Sequence, residues 1–180
     1  LCVGCKACKQ ECPTSVDMAR MKTEFLSHYR RRHGLRVFDR LVAYLPRYAR
    51  FATKIRWLLN IRNRFRALAI VGEWLTGFTA MRPLPVWKKP GSFVDVTASR
   101  GVQREVVLWA DTFNTWFEPE NIDAAYRVLS AAGYVVNMAG PADSGRALCC
   151  GRTFLAAGLV NEAKKEARRV ISSLGSFAKR

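Results

Sequence analysis

Apolar positions along the first 76 residues recur at three- and four-residue steps, the period of a helix that buries one face. Within residues 14–33, Val16, Met18, Met21, Phe25 and Leu26 form such a stripe. Thr14, Ser15 and Asp17 offer N-cap oxygens before it. Arg30, Arg31, Arg32 and His33, then Gly34, supply a cationic end and a stop. Leu41, Leu45, Tyr48, Phe51 and Ile55 predict further helix, with Pro46 opening a new one in its first turn. Trp57, Leu58, Ile61, Phe65 and Leu68 carry the pattern on. From residue 77 to 104 the period is lost, and Pro83, Pro85, Pro90, Gly91 and Gly101 break any regular element.

A different rhythm follows. Residues 105–110 (Glu-Val-Val-Leu-Trp-Ala) read as a short buried strand, and residues 134–138 as a second. Between them, residues 119–132 predict a helix that starts with Pro119, Glu120 and Asp123 near its positive end and stops at Gly133. Strand, helix and strand with short joints imply a right-handed parallel βαβ unit. A final helix is expected over about residues 153–174. The fold class is therefore α+β: a helical N-terminal segment, then a partial α/β domain. The expected divisions are 1–34, a basic helical region 35–81, a linker 82–104 and the α/β part 105–180.

With 49% hydrophobic and 24% charged residues in 180, the composition is that of a globular chain. The charge is not ordinary. Lys+Arg number 30 against 14 Asp+Glu, a formal net charge of +16, which favours a polyanionic partner. Residues 20–66 hold 14 of the basic and 2 of the acidic side chains. That concentration, interleaved with aromatics, fits either a solvated helical face or contact with an anionic membrane surface or acidic redox partner. Nucleic acid is not expected, because no nucleic-acid motif accompanies the charge. No uncharged apolar stretch reaches the roughly 18 residues needed to span a bilayer; residues 67–81 are broken by Glu73. With no secretory-signal pattern, the expected location is cytoplasmic, peripheral on the inner face of the cell membrane if the charge meets lipid.

Cysteine placement narrows the chemistry. Cys2, Cys5, Cys8 and Cys12, followed by Pro13, spell C-x2-C-x2-C-x3-C-P, the bacterial ferredoxin run for a [4Fe–4S] cluster. Thiolates three residues apart on a tight loop converge on the irons of one cubane, and Gly4 and Ala7 are small enough for a backbone wrapped on it. In two-cluster ferredoxins the fourth Cys of such a run serves the other cluster, so Cys2, Cys5 and Cys8 hold one cluster and Cys12 reaches a second. A zinc knuckle prefers two separated C-x2-C pairs. The chain opens at Leu1 directly before the run, and reads as a piece of a longer polypeptide with a second cysteine run upstream. Cys149 and Cys150 are adjacent and precede Gly151 and a helix start, with Arg146 and Arg152 on either side. Both the helix end and the cations predict reactive thiols of lowered pKa, suited to metal or redox work; the alternative is two small residues packed as hydrophobes.

Three stretches together resemble a known family: residues 2–19, with the cysteine run; Asp111-Thr-Phe-Asn-Thr-Trp-Phe-Glu-Pro-Glu120; and Leu148-Cys-Cys-Gly-Arg-Thr-Phe154. They are similar to the FAD-linked oxidases with a fused iron–sulfur half, the D-lactate dehydrogenase and glycolate oxidase group. They are also similar to the iron–sulfur subunits of anaerobic glycerol-3-phosphate dehydrogenase and of heterodisulfide reductase. The resemblance implies an upstream flavin domain, carrying FAD, that oxidises a 2-hydroxy acid, and a dicluster ferredoxin segment that takes the electrons to a quinone, cytochrome or acidic carrier. It implies a cysteine-rich (CCG) domain of pattern Cys…Cys-Cys-Gly…Cys-x2-Cys after it. Residues 1–34 would then be the second half of the ferredoxin segment. Cys2, Cys5, Cys8 and Cys12 would be cluster ligands, and Cys149 and Cys150 part of the CCG module, with no catalytic residue in this chain. The pattern is departed from twice: no Cys lies at residues 112–115, where the module's first belongs, and no closing Cys-x2-Cys is present. The alternative assignments are an iron–sulfur subunit of a glycerol-3-phosphate or heterodisulfide-type complex, and a non-catalytic basic binding module that uses metal for structure.

Overall fold

A computed structural model describes residues 4–91, 104–139 and 146–178. The described part begins with a short helix α1 (Ala7–Glu11) and a longer α2 (Met18–His33). Helix α2 starts later than its pattern predicts. Asp17, rather than Thr14 or Ser15, accepts the Arg20 amide at 2.9 Å, and Ser15 takes a positive φ of 54° in the turn before it. Gly34, at φ 71°, ends the helix with its amide on the Arg30 carbonyl, as expected. Helices α3 (Val37–Ala43), α4 (Leu45–Ala52), α5 (Arg56–Ile61) and α6 (Arg66–Thr76) follow, with a 3₁₀ turn at Thr53–Ile55. Pro46 sits in the first turn of α4 as predicted.

The face these helices bury differs from the predicted one. Phe25, Phe51 and Ile55 from the large apolar stripes are exposed, whereas Ala19, Ala43, Ala49 and Ala52 are buried. Small side chains here let neighbouring elements approach the helix backbone, so bulk comes from the partner. Ala43 packs with Phe154, Ala157 and Ala163. Ala49 packs with Trp116 and Phe117. The helical region and the C-terminal part therefore share both hydrophobic clusters.

Strands β1 (Glu105–Leu108) and β2 (Val135–Met138) pair in parallel, Glu105 opposite Val135 through Leu108 opposite Met138. Helix α7 (Thr112–Trp116) is capped by Asp111, whose carboxylate accepts the Asn114 amide at 2.7 Å. Helix α8 (Pro119–Ala131) connects the strands, with Pro119 in its first turn. These elements match the expected strand–helix–strand order. Helices α9 (Arg152–Ala156) and α10 (Val160–Ala178) close the described chain.

Two further devices join the parts. Asn60 and Asn63, one turn apart across α5 and its end, each bracket a backbone residue of the proline-rich stretch. Asn60 accepts the Trp87 amide at 2.9 Å and donates to its carbonyl at 3.0 Å; Asn63 does the same with Leu84 at 2.9 and 2.7 Å. The Lys88 amide then donates to the Trp116 carbonyl at 2.8 Å. Part of the expected linker is thus bound as a strap, while residues 92–103 lie outside the described residues. On α10, Glu166 is 0% exposed. It accepts two hydrogen bonds from Arg146, at 2.8 and 2.6 Å, and one from Arg169 at 3.1 Å, with Arg47 of α4 at 3.6 Å.

Candidate functional site

The N-terminal cysteine turn is built from backbone that L side chains rarely adopt. Gly4 and Lys6 have φ of 72° and 67°, curling the chain before α1. Cys5 precedes that helix, Cys8 lies within it, and Cys12 is its C-cap, donating its amide to the Cys8 carbonyl at 3.0 Å. The Ser15 amide then closes on the Cys12 carbonyl at 2.9 Å. Cys5 is exposed, Cys8 and Cys12 are half-buried, and none of the three forms a disulfide. Cys2 lies outside the described residues.

The Cys12 sulfur sits 3.1 Å from the Thr14 hydroxyl. That contact, with backbone amides of residues 14–16, holds its thiol below the usual range. Cysteine sulfurs on a tight turn are the donor chemistry an iron–sulfur cluster takes, and the residue types present fit one in that respect. Among the described residues no group of three or more Cys, His, Asp or Glu side chains is gathered closely enough to hold a metal ion. Only Cys5 and Cys8 of the expected trio belong to those residues.

Cys149 and Cys150 separate in character. Cys150 is exposed, while Cys149 is 3% exposed. Burial pushes the Cys149 thiol up, against a weaker opposing effect of the Gly151 amide, 3.5 Å from its sulfur, and of the Thr112 hydroxyl. The expectation of a lowered pKa therefore fails for Cys149, for identifiable reasons. Arg146 is committed to Glu166, and Arg152 reaches away to the Gly4 carbonyl at 3.1 Å. Helix α9 is only five residues long, and its positive end is correspondingly weak. Gly151, at φ 80°, lets the loop seat on α10: a Cβ there would come within 2.8 Å of the Ala163 carbonyl.

Thr112 lies in the stretch where the family resemblance implies a cysteine. It is 2% exposed, and its buried hydroxyl makes no well-formed hydrogen bond. Its influence on the Cys149 thiol nonetheless puts the two side chains together. The fold thus brings the start of α7 and the Cys-Cys-Gly loop together, with the Thr112 hydroxyl beside the Cys149 thiol.

The two cysteine motifs also meet each other. Besides the Arg152–Gly4 bond, a cavity of about 270 Å³ between α2, α9 and the N-terminal turn is lined by Lys6, Arg20, Lys22 and Arg152, with no carboxylate in its wall. Composition predicts excess positive charge but not this placement, which only the packing of α9 on α2 creates. Gly158 marks how close that packing is, since a Cβ there would fall within 2.7 Å of the Leu26 backbone. Elsewhere the basic segment carries exposed aromatic side chains, Phe51, Trp57 and Trp74 among them, the last 84% exposed. Among the described residues, no helix is long and apolar enough to cross a membrane.

Comparison with known proteins gives one informative match. Among curated proteins the chain is similar to D-2-hydroxyglutarate dehydrogenase of Pantoea ananatis (strain AJ13355). The two are 24% identical over 152 residues, which take in 74% of this chain and 14% of that protein. The chain thus spans a small fraction of the length of the curated relative it matches. No protein-family description matches it, and no solved structure does. The similarity links the chain to a dehydrogenase, and so to oxidoreductase chemistry in general.

Proposed function

We propose that the chain is an electron-transfer iron–sulfur segment of an FAD-linked 2-hydroxy-acid dehydrogenase, passing electrons from an upstream flavin domain to a quinone, cytochrome or acidic carrier. The observation that carries this is the C-x2-C-x2-C-x3-C-P run, whose described part folds as a tight turn with the Cys12 thiol lowered by the Thr14 hydroxyl and the amides of residues 14–16. D-2-hydroxyglutarate is by its name a 2-hydroxy acid, so the similarity to its dehydrogenase supports the same substrate class.

In this reading Cys2, Cys5 and Cys8 hold one [4Fe–4S] cluster and Cys12 reaches toward a second. A bound cluster supplies one-electron storage between a two-electron flavin donor and its acceptor. The chain's own part is to hold the cluster and set the charge around it. The positive φ of Gly4 and Lys6 curls the turn, and the Thr14 hydroxyl and adjoining amides stabilise negative charge on Cys12. Cys149, buried and with its thiol pushed up by burial, suits a packing role, leaving Cys150 as the accessible thiol of its pair. The basic helical face with exposed Trp57 and Trp74 would carry peripheral contact with an anionic membrane.

Iron content tests the reading. The full-length protein should be brown, with absorbance near roughly 400 nm from the iron–sulfur chromophore. Cys5→Ala, Cys8→Ala and Cys12→Ala should each lower iron per protein. Wild-type iron content in all three variants would end the proposal.

A further inference from the structure

The contact between residues 148 positions apart, Arg152 Nη2 to the Gly4 carbonyl at 3.1 Å, ties the Cys-Cys-Gly loop to the C-x2-C turn. Nothing in either motif's spacing requires it. A Cβ on Gly4 would sit 3.3 Å from the same Nη2, so the guanidinium lies flush against the turn's backbone. Arg152 is the first residue of α9. Its neighbours are anchored: Phe154 is fully buried, and the Thr153 hydroxyl donates to the Ala43 carbonyl at 3.0 Å. The backbone that carries Arg152 is therefore anchored, while its guanidinium reaches Gly4 at an exposed position.

Charge gives the contact its meaning. Four thiolates around a [4Fe–4S]²⁺ core leave a net charge of about −2, and one-electron reduction makes it about −3, so nearby cations favour the reduced form. Lys6, Arg20 and Lys22 share the cavity wall with Arg152. Arg152 is the cation that binds the turn's own backbone.

We infer that Arg152 is a positioning residue for the N-terminal cysteine turn, fixing its first half through the Gly4 carbonyl and setting the reduction potential of the cluster it holds. The potential part rests on the iron–sulfur reading above; the positioning part does not. Planar guanidinium geometry serves the first role and positive charge the second, so lysine should restore one more fully than the other.

The test uses the full-length protein with Arg152→Gln and Arg152→Lys. Potentiometric titration should show a more negative cluster potential in Arg152→Gln at unchanged iron content, largely restored in Arg152→Lys. Hydrogen exchange, measured on metal-free protein, should show residues 4–12 exchanging several-fold faster in both variants. Wild-type exchange in both variants would overturn the positioning role, and an unmoved potential with intact iron would overturn the tuning role. If wild-type protein holds no iron, the proposed function fails, while the exchange measurement still decides whether Arg152 holds the turn. Should Arg152→Gln not fold, Arg152→Lys alone decides: wild-type exchange in it overturns the inference.

Discussion

Glu166→Gln removes the charge at the centre of the most buried polar cluster among the described residues while keeping shape. The wild-type carboxylate is fully buried and faces Arg146, Arg169 and Arg47. Losing one partner of a buried ion pair costs about 3–5 kcal/mol, because the remaining charges stay desolvated. All three arginines keep contact with solvent, so they rehydrate in part, and the lower end, about 3 kcal/mol, is expected. For a chain of this size about 1 kcal/mol moves the midpoint by roughly 2–4 °C, which gives a fall of about 6–12 °C at pH 7. Burial alone would push the Glu166 pKa up, but Arg146 and Arg169 overcome it and hold the carboxyl below its ordinary value. The stabilisation is thus complete above the ordinary carboxylate range, about pH 4.3, and is lost as pH falls through the depressed value. Thermal melts followed by circular dichroism from pH 7 downward should show the gap between wild type and variant narrowing at the acid end. A midpoint change below about 2 °C at pH 7, or a gap that stays constant into acid, would refute the assignment of Glu166 as the ionised hub.

Other outcomes follow from particular contacts. Under native conditions iodoacetamide should modify Cys150 well before Cys149, with equal labelling only after denaturation; mass spectrometry of the 147–152 peptide reads the order. Asn63→Ala removes both hydrogen bonds to Leu84, each worth about 1 kcal/mol, and should cost about 1–2 kcal/mol in denaturant unfolding while speeding limited proteolysis at residues 82–90. Phe154→Ala should cost about 3–5 kcal/mol, since this fully buried ring meets Ala43, Ala157 and Ala163 and stacks under Arg47. Binding of the protein to anionic vesicles should weaken steeply between low salt and 0.5 M; equal binding to neutral vesicles would leave the basic face as mere solvation.

Helix and strand positions were readable wherever caps and period agreed. Gly34, Pro46 and Pro119 fall where the pattern puts them, and the strand–helix–strand order of β1, α8 and β2 matches its signals. The buried face of α2 and α4 was not readable, because period identifies large apolar stripes and Ala19, Ala43 and Ala49 make a weak one. At the site, the cysteine positions marked both motifs, and residues 112–115 came only from the family resemblance. Neither could show that Thr112 lies against Cys149, nor that Arg146 and Arg152 point away from the thiols they flank. Flanking residues in sequence are poor guides to electrostatics on a tight turn, where successive side chains diverge.

The bond from Arg152 to Gly4 has a consequence in time. A ribosome delivers the N-terminal thiols first and Arg152 148 residues after Gly4. At about 5–20 residues per second that is an interval of about 7–30 s. Throughout it the cysteine turn lacks its C-terminal anchor, and α2 lacks the Gly158 turn against which it packs. Nascent thiols in that window are open to oxidation and to capture of stray metal. Whatever order the turn draws from Arg152 and from the Gly158 turn thus becomes available only once α9 has been made.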